Sequence, residues 1–175
     1  MSAYYFLMAS LPMLHFGAKP PFSFQRFLQT CQDAVGEKDL QAVRVCARDI
    51  LAGQPPEHAL LRQWLAFEIE LRNELVKIRA SRKKLDPASY LRPDGSGDIA
   101  VYHSAMNSHR IPSLIESELF LDQERWRKLD ELAAGHFFDL EALLVYALQL
   151  RILWRWEHIA AADKNAALEQ ALAAD

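Results

Sequence analysis

Histidine is the residue type in this chain best suited to catalysis or to metal binding. The sequence contains six, which are His15, His58, His103, His109, His136 and His158. His103 and His109 lie six positions apart in a polar segment, but no pair forms HExxH and no cysteine pair forms CxxC. Surface histidines are the simpler interpretation. An enzyme that uses His103 and His109 is the alternative, and it requires both to converge with a carboxylate in a pocket.

Motifs for nucleotide binding or for a nucleophilic serine are missing from the sequence. Neither GxGxxG nor GxxxxGK[ST] occurs, so the chain lacks the loops that hold phosphates in many nucleotide-binding proteins. Ser104, Ser108 and Ser113 lie near the two histidines, but none belongs to a GxSxG turn. We therefore expect a protein that is not an enzyme and that uses no cofactor, no metal and no small-molecule substrate.

Charged side chains are concentrated along one predicted helix. Glu68, Glu70 and Glu74 could supply paired carboxylates, because Glu70 and Glu74 are one helical turn apart. Such chemistry needs a pocket, whereas a solvated helix face needs none, and we favour the solvated face.

The same helix ends in a basic cluster, which consists of Arg79, Arg82, Lys83 and Lys84. Cations at a helix C-terminus are stabilised by the helix dipole, which is sufficient to explain them. If the cluster also binds a ligand, an acidic protein is a better candidate than a nucleic acid. Aromatic residues do not interleave the cluster, and the net charge of the chain is -3.

Two tryptophans, Trp154 and Trp156, flank Arg155 near the C-terminus. Adjacent helical positions point about 100° apart, so two residues separated by one position cannot share a narrow stripe. We expect one ring in the core and the other at a protein interface, where tryptophan is enriched.

Periodicity and helix-capping residues indicate the elements that carry these side chains. The predicted helices cover 2–11, 24–35, 38–51, 57–85, 113–134 and 140–162. Ser23 and Asp139 are expected to cap two of them, Gly36 to end one, and 2–11 to be buried. Segment 86–111 is predicted to be a flexible loop with one helical turn near 99–105. Segment 163–175 is predicted to be a frayed tail. The prediction is a single all-α domain over 1–175, an irregular bundle of about six helices.

The composition points to a reduced compartment and to no direct membrane insertion. Cys31 and Cys46 fall in amphipathic patterns, where a free cysteine acts as a small apolar residue. The N-terminus has no basic region that would make 3–9 a signal peptide, and no apolar run approaches about 20 residues. We expect a cytoplasmic protein whose membrane association depends on other proteins.

Two segments carry a resemblance to known families. Segment 4–16, with Tyr4-Tyr5 followed by Ala9-Ser10-Leu11-Pro12, resembles the start of an uncharacterised bacterial family encoded among V-type ATPase genes. Segment 68–73 followed by Arg79-Ala80 is similar to a helix of the V/A-type ATPase C subunit, also called d. That family is helical, contains pseudo-repeated helix groups, and couples the proteolipid ring to the central rotor stalk.

An internal similarity would fit such a pseudo-repeat. Segment 65–72 aligns with 144–151 at the apolar, aromatic and arginine positions, although two Leu-rich helices can also align by chance. The second copy departs from the family pattern, with Gln149 at the acidic position and Ile152 at the asparagine position. The chain is also much shorter than a full C subunit, so the resemblance implies a reduced version of it.

The resemblance implies a mechanical role. We expect a non-catalytic stalk or coupling subunit of a bacterial V-type ATPase, peripheral to the inner membrane, with the proteolipid ring and central stalk as partners. The basic cluster and loop 86–111 would contact them, and Glu70 and Asn73 would make polar contacts between helices. The alternative is a free-standing helical adaptor or regulatory module that binds a partner helix in an apolar groove.

Overall fold

In a computed structural model, the chain is helical throughout its regular elements. The structure describes the backbone of residues 2–93 and 97–173 and the side chains of 4–93 and 97–162. These residues form seven α-helices and no strand, which confirms the all-α prediction. The helices are α1 (Ser2–Ser10), α2 (Phe24–Gln32), α3 (Glu37–Cys46), α4 (Ala59–Lys83), α5 (Ile99–Arg110), α6 (Leu114–Leu132) and α7 (Leu140–Ala173). A short 3-10 helix covers Ala88–Tyr90. In the described part of the chain, none of the helices combines the length and apolarity that crossing a bilayer requires.

The chain divides into two compact units, and each helix belongs to one of them. The first unit contains Met1–Ala47 and Ala133–Asp175, and therefore α1, α2, α3 and α7. The second unit is Arg48–Leu132 and contains α4, α5 and α6. Sequence periodicity does not reveal that α7 packs with the N-terminal helices, and the expected single domain over 1–175 stays a prediction.

The first unit is held together by apolar and aromatic packing on α7. Helices α2 and α3 both pack against α7. The Phe27 ring, which is fully buried, stacks on Tyr146 with ring centroids 5.5 Å apart. The Tyr146 hydroxyl donates a hydrogen bond of 2.9 Å to the Pro12 carbonyl, and the Trp154 indole donates one of 2.7 Å to the Phe22 carbonyl. These two bonds fasten the connector between α1 and α2 to α7.

The second unit combines a small apolar core with a buried ionic network. Helix α4 packs against α5, and α5 packs against α6, around Leu71, Val101, Ala105 and Leu121. Arg125 of α6 donates to Glu68 at 2.9 Å and to Asp122 at 2.8 Å. The solvated carboxylate face expected for α4 is therefore wrong, since Glu68, Glu70 and Glu74 are all buried.

Helix α5 replaces most of the flexible loop expected over 86–111. Asp98 caps its first turn by accepting a hydrogen bond of 2.8 Å from the backbone N–H of Ala100. The buried positions of α5 follow helical spacing, and they are Val101, Ser104, Ala105 and Ser108. Two of these four are serines, so the apolar periodicity that identifies a helix in sequence was too weak here. Residues 94–96 of the expected loop lie outside the described residues.

The capping residues predicted from the sequence are confirmed at the starts of two helices. Ser23 caps α2 by accepting from the Arg26 N–H at 3.1 Å, and Asp139 caps α7 by accepting from the Ala142 N–H at 3.0 Å. Gly36 does not end α2, which stops at Gln32, but directly precedes α3. Helix α3 also ends at Cys46, earlier than the predicted residue 51.

Both termini of the chain differ in detail from the sequence prediction. Segment 2–11 is helical as expected, but in α1 Leu7 is buried whereas Tyr5 and Phe6 are exposed. Helix α7 runs without a break to Ala173, and residues 174–175 of the expected frayed tail lie outside the described residues. Both segments of the internal similarity, 65–72 and 144–151, are helical, but they belong to different units. The pseudo-repeat stays a prediction.

Candidate docking groove

A groove of about 470 Å³ lies in the second unit, and three of the four residues of the basic cluster line it. These are Arg79, Arg82 and Lys83 of α4. They follow Leu75 and Ile78 along the same helix, and the spacing of three and four residues places all five side chains on one face. This part of α4 therefore presents a mixed surface, apolar along its centre and cationic toward its C-terminus.

The opposite side of the groove is formed by the junction between α5 and α6. Ser108, near the end of α5, lies with its hydroxyl 2.8 Å from that of Ser117, and the Ser117 hydroxyl donates to the Ser108 carbonyl at 3.1 Å. These contacts hold the two helices at a fixed separation. Between them Ile111, Pro112 and Leu114 line the groove. Leu114 is 77% exposed, so the apolar lining is open to solvent.

The groove carries positive charge that no acidic side chain in its lining neutralises. No aspartate or glutamate belongs to its lining. Within the part of the chain that the structure describes, the side chains of Arg79, Arg82 and Lys83 form no ion pair. Arg82 and Lys83 lie in the last turn of α4, where the helix dipole favours cations. The dipole does not explain Arg79, one turn earlier. The apolar residues beside it, Leu75 and Ile78, are partly buried and pack against the core of the second unit.

Lys84 has a different role from its three neighbours. It caps α4 in the left-handed conformation, with φ 54°, and it does not line the groove. The Leu85 N–H donates to the Ala80 carbonyl at 3.0 Å, which closes the last turn as in a Schellman motif. Lys84 was also expected to contact a partner, and that contact stays a prediction.

Asn73 positions the chain that follows α4. Its side-chain amide donates to the Arg92 carbonyl at 2.9 Å, and its side-chain oxygen accepts from the Arg92 N–H at 2.9 Å. The Arg92 guanidinium also donates to the Leu51 carbonyl at 2.6 Å. The polar contact expected of Asn73 therefore exists, but its partner is the non-helical segment before α5. The polar contact between α4 and α6 is made instead by Glu68 and Arg125.

Glu70 was expected to share the polar contacts between helices. Its side chain is buried, with 2% of the residue exposed. Its Oε2 atom lacks a hydrogen-bond partner among the described residues. The predicted polar contact is therefore absent at that oxygen.

The two tryptophans lie in the first unit and do not line the groove. Both are partly buried. The Trp154 ring packs at 5.2 Å from the His158 ring, and the Arg155 guanidinium lies 6.0 Å from the Trp156 ring centroid. The hydrogen bond from Trp154 to Phe22 makes this ring part of the fold. An interface role for Trp156 stays a prediction.

The structure does not bring the two histidines of α5 together. His109 lines the groove, whereas His103 is exposed and packs its ring against Tyr102 at 5.5 Å. Sequence reasoning missed another group, which consists of His136, Asp139 and Glu141 with ligand atoms within 4.8 Å of one another. The His136 Nδ1 atom lies 2.7 Å from Asp139, and this hydrogen bond raises the pKa of His136. Asp139 already serves as the cap of α7, so the group has a structural explanation.

The groove is suited to a ligand that is both anionic and partly apolar. Three cations can pair with carboxylates or other anions, while Leu75, Ile78 and Leu114 can bury apolar side chains. Comparison of the chain with protein-family models, with curated proteins and with solved structures finds no match.

Proposed function

We propose that this protein is a non-catalytic docking subunit that binds an acidic amphipathic segment of a partner protein in the groove of its second unit. The observation that carries the proposal is the row of unpaired cations, Arg79, Arg82 and Lys83, beside an apolar lining in which Leu114 is exposed. An amphipathic helix binds such a surface through apolar residues spaced three and four positions apart. Acidic residues at the edge of that helix would then lie against the cations.

A protein segment fits this groove better than a nucleic acid does. Phosphate backbones are bound by basic surfaces, whereas Leu75, Ile78 and Leu114 give the groove an apolar centre that a phosphate backbone cannot use. The net charge of the whole chain is -3, which opposes nonspecific attraction of nucleic acids.

We further propose that the partner belongs to a bacterial V-type ATPase, with this chain as a coupling subunit between proteolipid ring and stalk. Support comes from the resemblance of segments 4–16, 68–73 and 79–80 to families of that machine. Residues of the second resembling segment have specific roles, since Glu68 pairs with Arg125 and Asn73 holds Arg92. Arg79 of the third segment lines the groove.

Charge reversal in the groove tests the docking proposal. We expect the wild-type chain to bind a fluorescent Leu/Glu amphipathic helix of about 18 residues. Arg79→Glu combined with Arg82→Glu should weaken binding at least tenfold, because two ion pairs become repulsions, and anisotropy titration measures the change. Raising the salt concentration should also weaken binding of the wild type.

The matched control makes the same change of charge on the first unit. Lys19→Glu combined with Lys38→Glu replaces two exposed lysines that do not line the groove, and it should leave the affinity within about twofold of wild type. Equal loss in both double variants would mean that only net charge matters, and the groove would lose its assigned role. Failure of the wild-type chain to bind the acidic helix would have the same consequence.

The ATPase assignment has a separate test. Genes for the catalytic and rotor subunits should lie beside the gene for this chain, and a tagged chain should copurify with those subunits. The Arg79→Glu/Arg82→Glu variant should recover less of them than the lysine control does. Copurification of an unrelated protein, with no ATPase subunit, would instead support the free-standing adaptor, which uses the same groove.

A further inference from the structure

A cluster of exposed aromatic rings lies on the first unit, where α1 meets the loop before α7. The cluster comprises Tyr5, Phe6, Phe137 and Phe138, whose residues are 52%, 71%, 70% and 49% exposed. The Tyr5 ring lies 4.8 Å from Phe138 and 5.7 Å from Phe6, measured between centroids. We name these four residues the aromatic patch. Scattered exposed apolar residues are ordinary, but the rings of Tyr5, Phe6 and Phe138 are in contact and form a continuous apolar surface, which marks interaction sites.

The charge around the aromatic patch is negative. Asp139 directly follows Phe138, and Asp39 accepts a hydrogen bond of 2.5 Å from the hydroxyl of Tyr4, the neighbour of Tyr5. Burial and this bond to Asp39 raise the pKa of Tyr4, as does the negative charge of Glu141. The two stretches of chain that supply the patch, 1–18 and 133–150, contain no lysine or arginine. Exposed Lys38 precedes Asp39, and His136 pairs with Asp139, so the carboxylates Asp39, Asp139 and Glu141 are partly compensated but outnumber the lysines and arginines near the patch.

We propose that the aromatic patch binds a basic amphipathic segment of a second partner protein. Apolar side chains of that segment would cover Phe137 and Phe138, while its lysines or arginines would lie near Asp39 and Asp139. Exposed aromatic faces add to this preference, because they attract ammonium and guanidinium groups. The inference goes beyond the acidic ligand of the groove, and it makes the chain a connector with two docking surfaces of opposite charge.

The charge distribution also disfavours a membrane as the occupant. Proteins that insert aromatic side chains into the surface of a membrane attract its anionic lipids through nearby lysines and arginines. The stretches that build the aromatic patch offer carboxylates and no such cation. A basic protein segment satisfies both the apolar rings and the carboxylates.

Peptide titration tests this proposal on the full chain. The probe is a fluorescent Leu/Lys amphipathic helix of about 18 residues, long enough to be helical when bound. Phe137→Ser combined with Phe138→Ser should weaken its binding at least about tenfold, since buried aromatic contacts dominate interface energies. The variant changes exposed side chains, and circular dichroism should show unchanged helicity.

The control exchanges equally exposed apolar residues elsewhere. Tyr90→Ser combined with Ile99→Ser alters the second unit and should leave Leu/Lys binding unchanged. The Phe137→Ser/Phe138→Ser variant should still bind the Leu/Glu helix normally, so failure of the patch and failure of the groove are distinguishable. Equal binding of the Leu/Lys helix by wild type and patch variant would overturn the proposal. Patch-dependent binding to vesicles of phosphatidylcholine and phosphatidylglycerol, or patch-dependent dimerisation without peptide, would overturn it as well.

Discussion

The helices of the two units are held together by different kinds of contact. In the first unit α7 is buried over seven consecutive residues, 142–148, and its contacts with α2 are aromatic. In the second unit α4 meets α6 through Glu68 and Arg125, and α5 meets α6 through paired serines. Apolar packing tolerates many arrangements of similar volume, whereas a buried ionic network requires particular partners.

The difference matters because each docking surface depends on the unit that carries it. The groove lies between α4 and the α5–α6 junction, so the polar contacts that fix these helices also fix its width. The aromatic patch belongs to the apolar unit and continues its hydrophobic character to the surface. Buried polar contacts therefore occur in the unit that carries the groove, and aromatic packing occurs in the unit that carries the aromatic patch.

Removal of Arg125 should give the largest effect. Arg125→Met leaves Glu68 and Asp122 buried without their cation, and we expect a loss of about 4 kcal/mol in the free energy of unfolding. Urea denaturation followed by circular dichroism measures the loss. Replacing Glu68 and Asp122 by leucine in the same variant should recover part of the stability, because the two carboxylates that pair with Arg125 are then also removed.

A substitution that creates a cavity in the apolar core of the first unit provides the comparison with Arg125→Met. Leu143→Ala should cost about 3 kcal/mol, the usual value for a fully buried leucine. Because this substitution leaves no charged group without a partner, a second substitution that changes a charge should not restore the lost stability. If the apolar replacement of the ionic network is no more stable than Arg125→Met alone, the assignment of a charge-dependent core to the second unit is wrong.

Alkaline pH should weaken the first unit specifically. Burial raises the pKa of the Cys31 and Cys46 thiols to about 12 and that of Tyr146 to about 12. Unfolded thiols titrate near pH 9, so above that pH the unfolded state holds fewer protons than the folded state. The free energy of unfolding should therefore be steady below about pH 9 and fall as the pH rises toward 12.

Thiol labelling separates this prediction from general alkaline damage. Both thiols of the native chain should resist a disulfide reagent at pH 8 to about 9 and react once urea unfolds it. The Cys46→Ala variant should be less stable at neutral pH but should show a shallower decline above about pH 9. A decline as steep as that of the wild type would rule out a contribution from the Cys46 thiol.

Relief of backbone strain at the end of α4 should give the smallest effect, and a favourable one. Lys84 adopts a positive φ, which costs a side-chain-bearing residue up to about 1 kcal/mol relative to glycine. Lys84→Gly should raise the free energy of unfolding by about that amount and leave Leu/Glu binding in the groove unchanged. Weaker binding in this variant would show that the Lys84 side chain also contacts the ligand.

The sequence by itself determined the helices with strong local signals. The long helix α4 follows from apolar residues at helical spacing, and the starts of α2 and α7 follow from Ser23 and Asp139. These features depend on residues within one or two turns of each other. The cationic cluster at 79–84 could also be identified from the sequence, because its members lie within six positions of the chain.

Tertiary structure alone decided which polar residues are buried and where the surfaces form. Glu68 is buried because Arg125, 57 positions away, supplies its partner, and nothing near Glu68 in sequence indicates this. Helix α5 is stabilised by packing on α4 and α6 rather than by its own weak periodicity. The groove and the aromatic patch each join segments that are distant in sequence. The free energy of such contacts depends on chain packing, which local periodicity and capping do not encode.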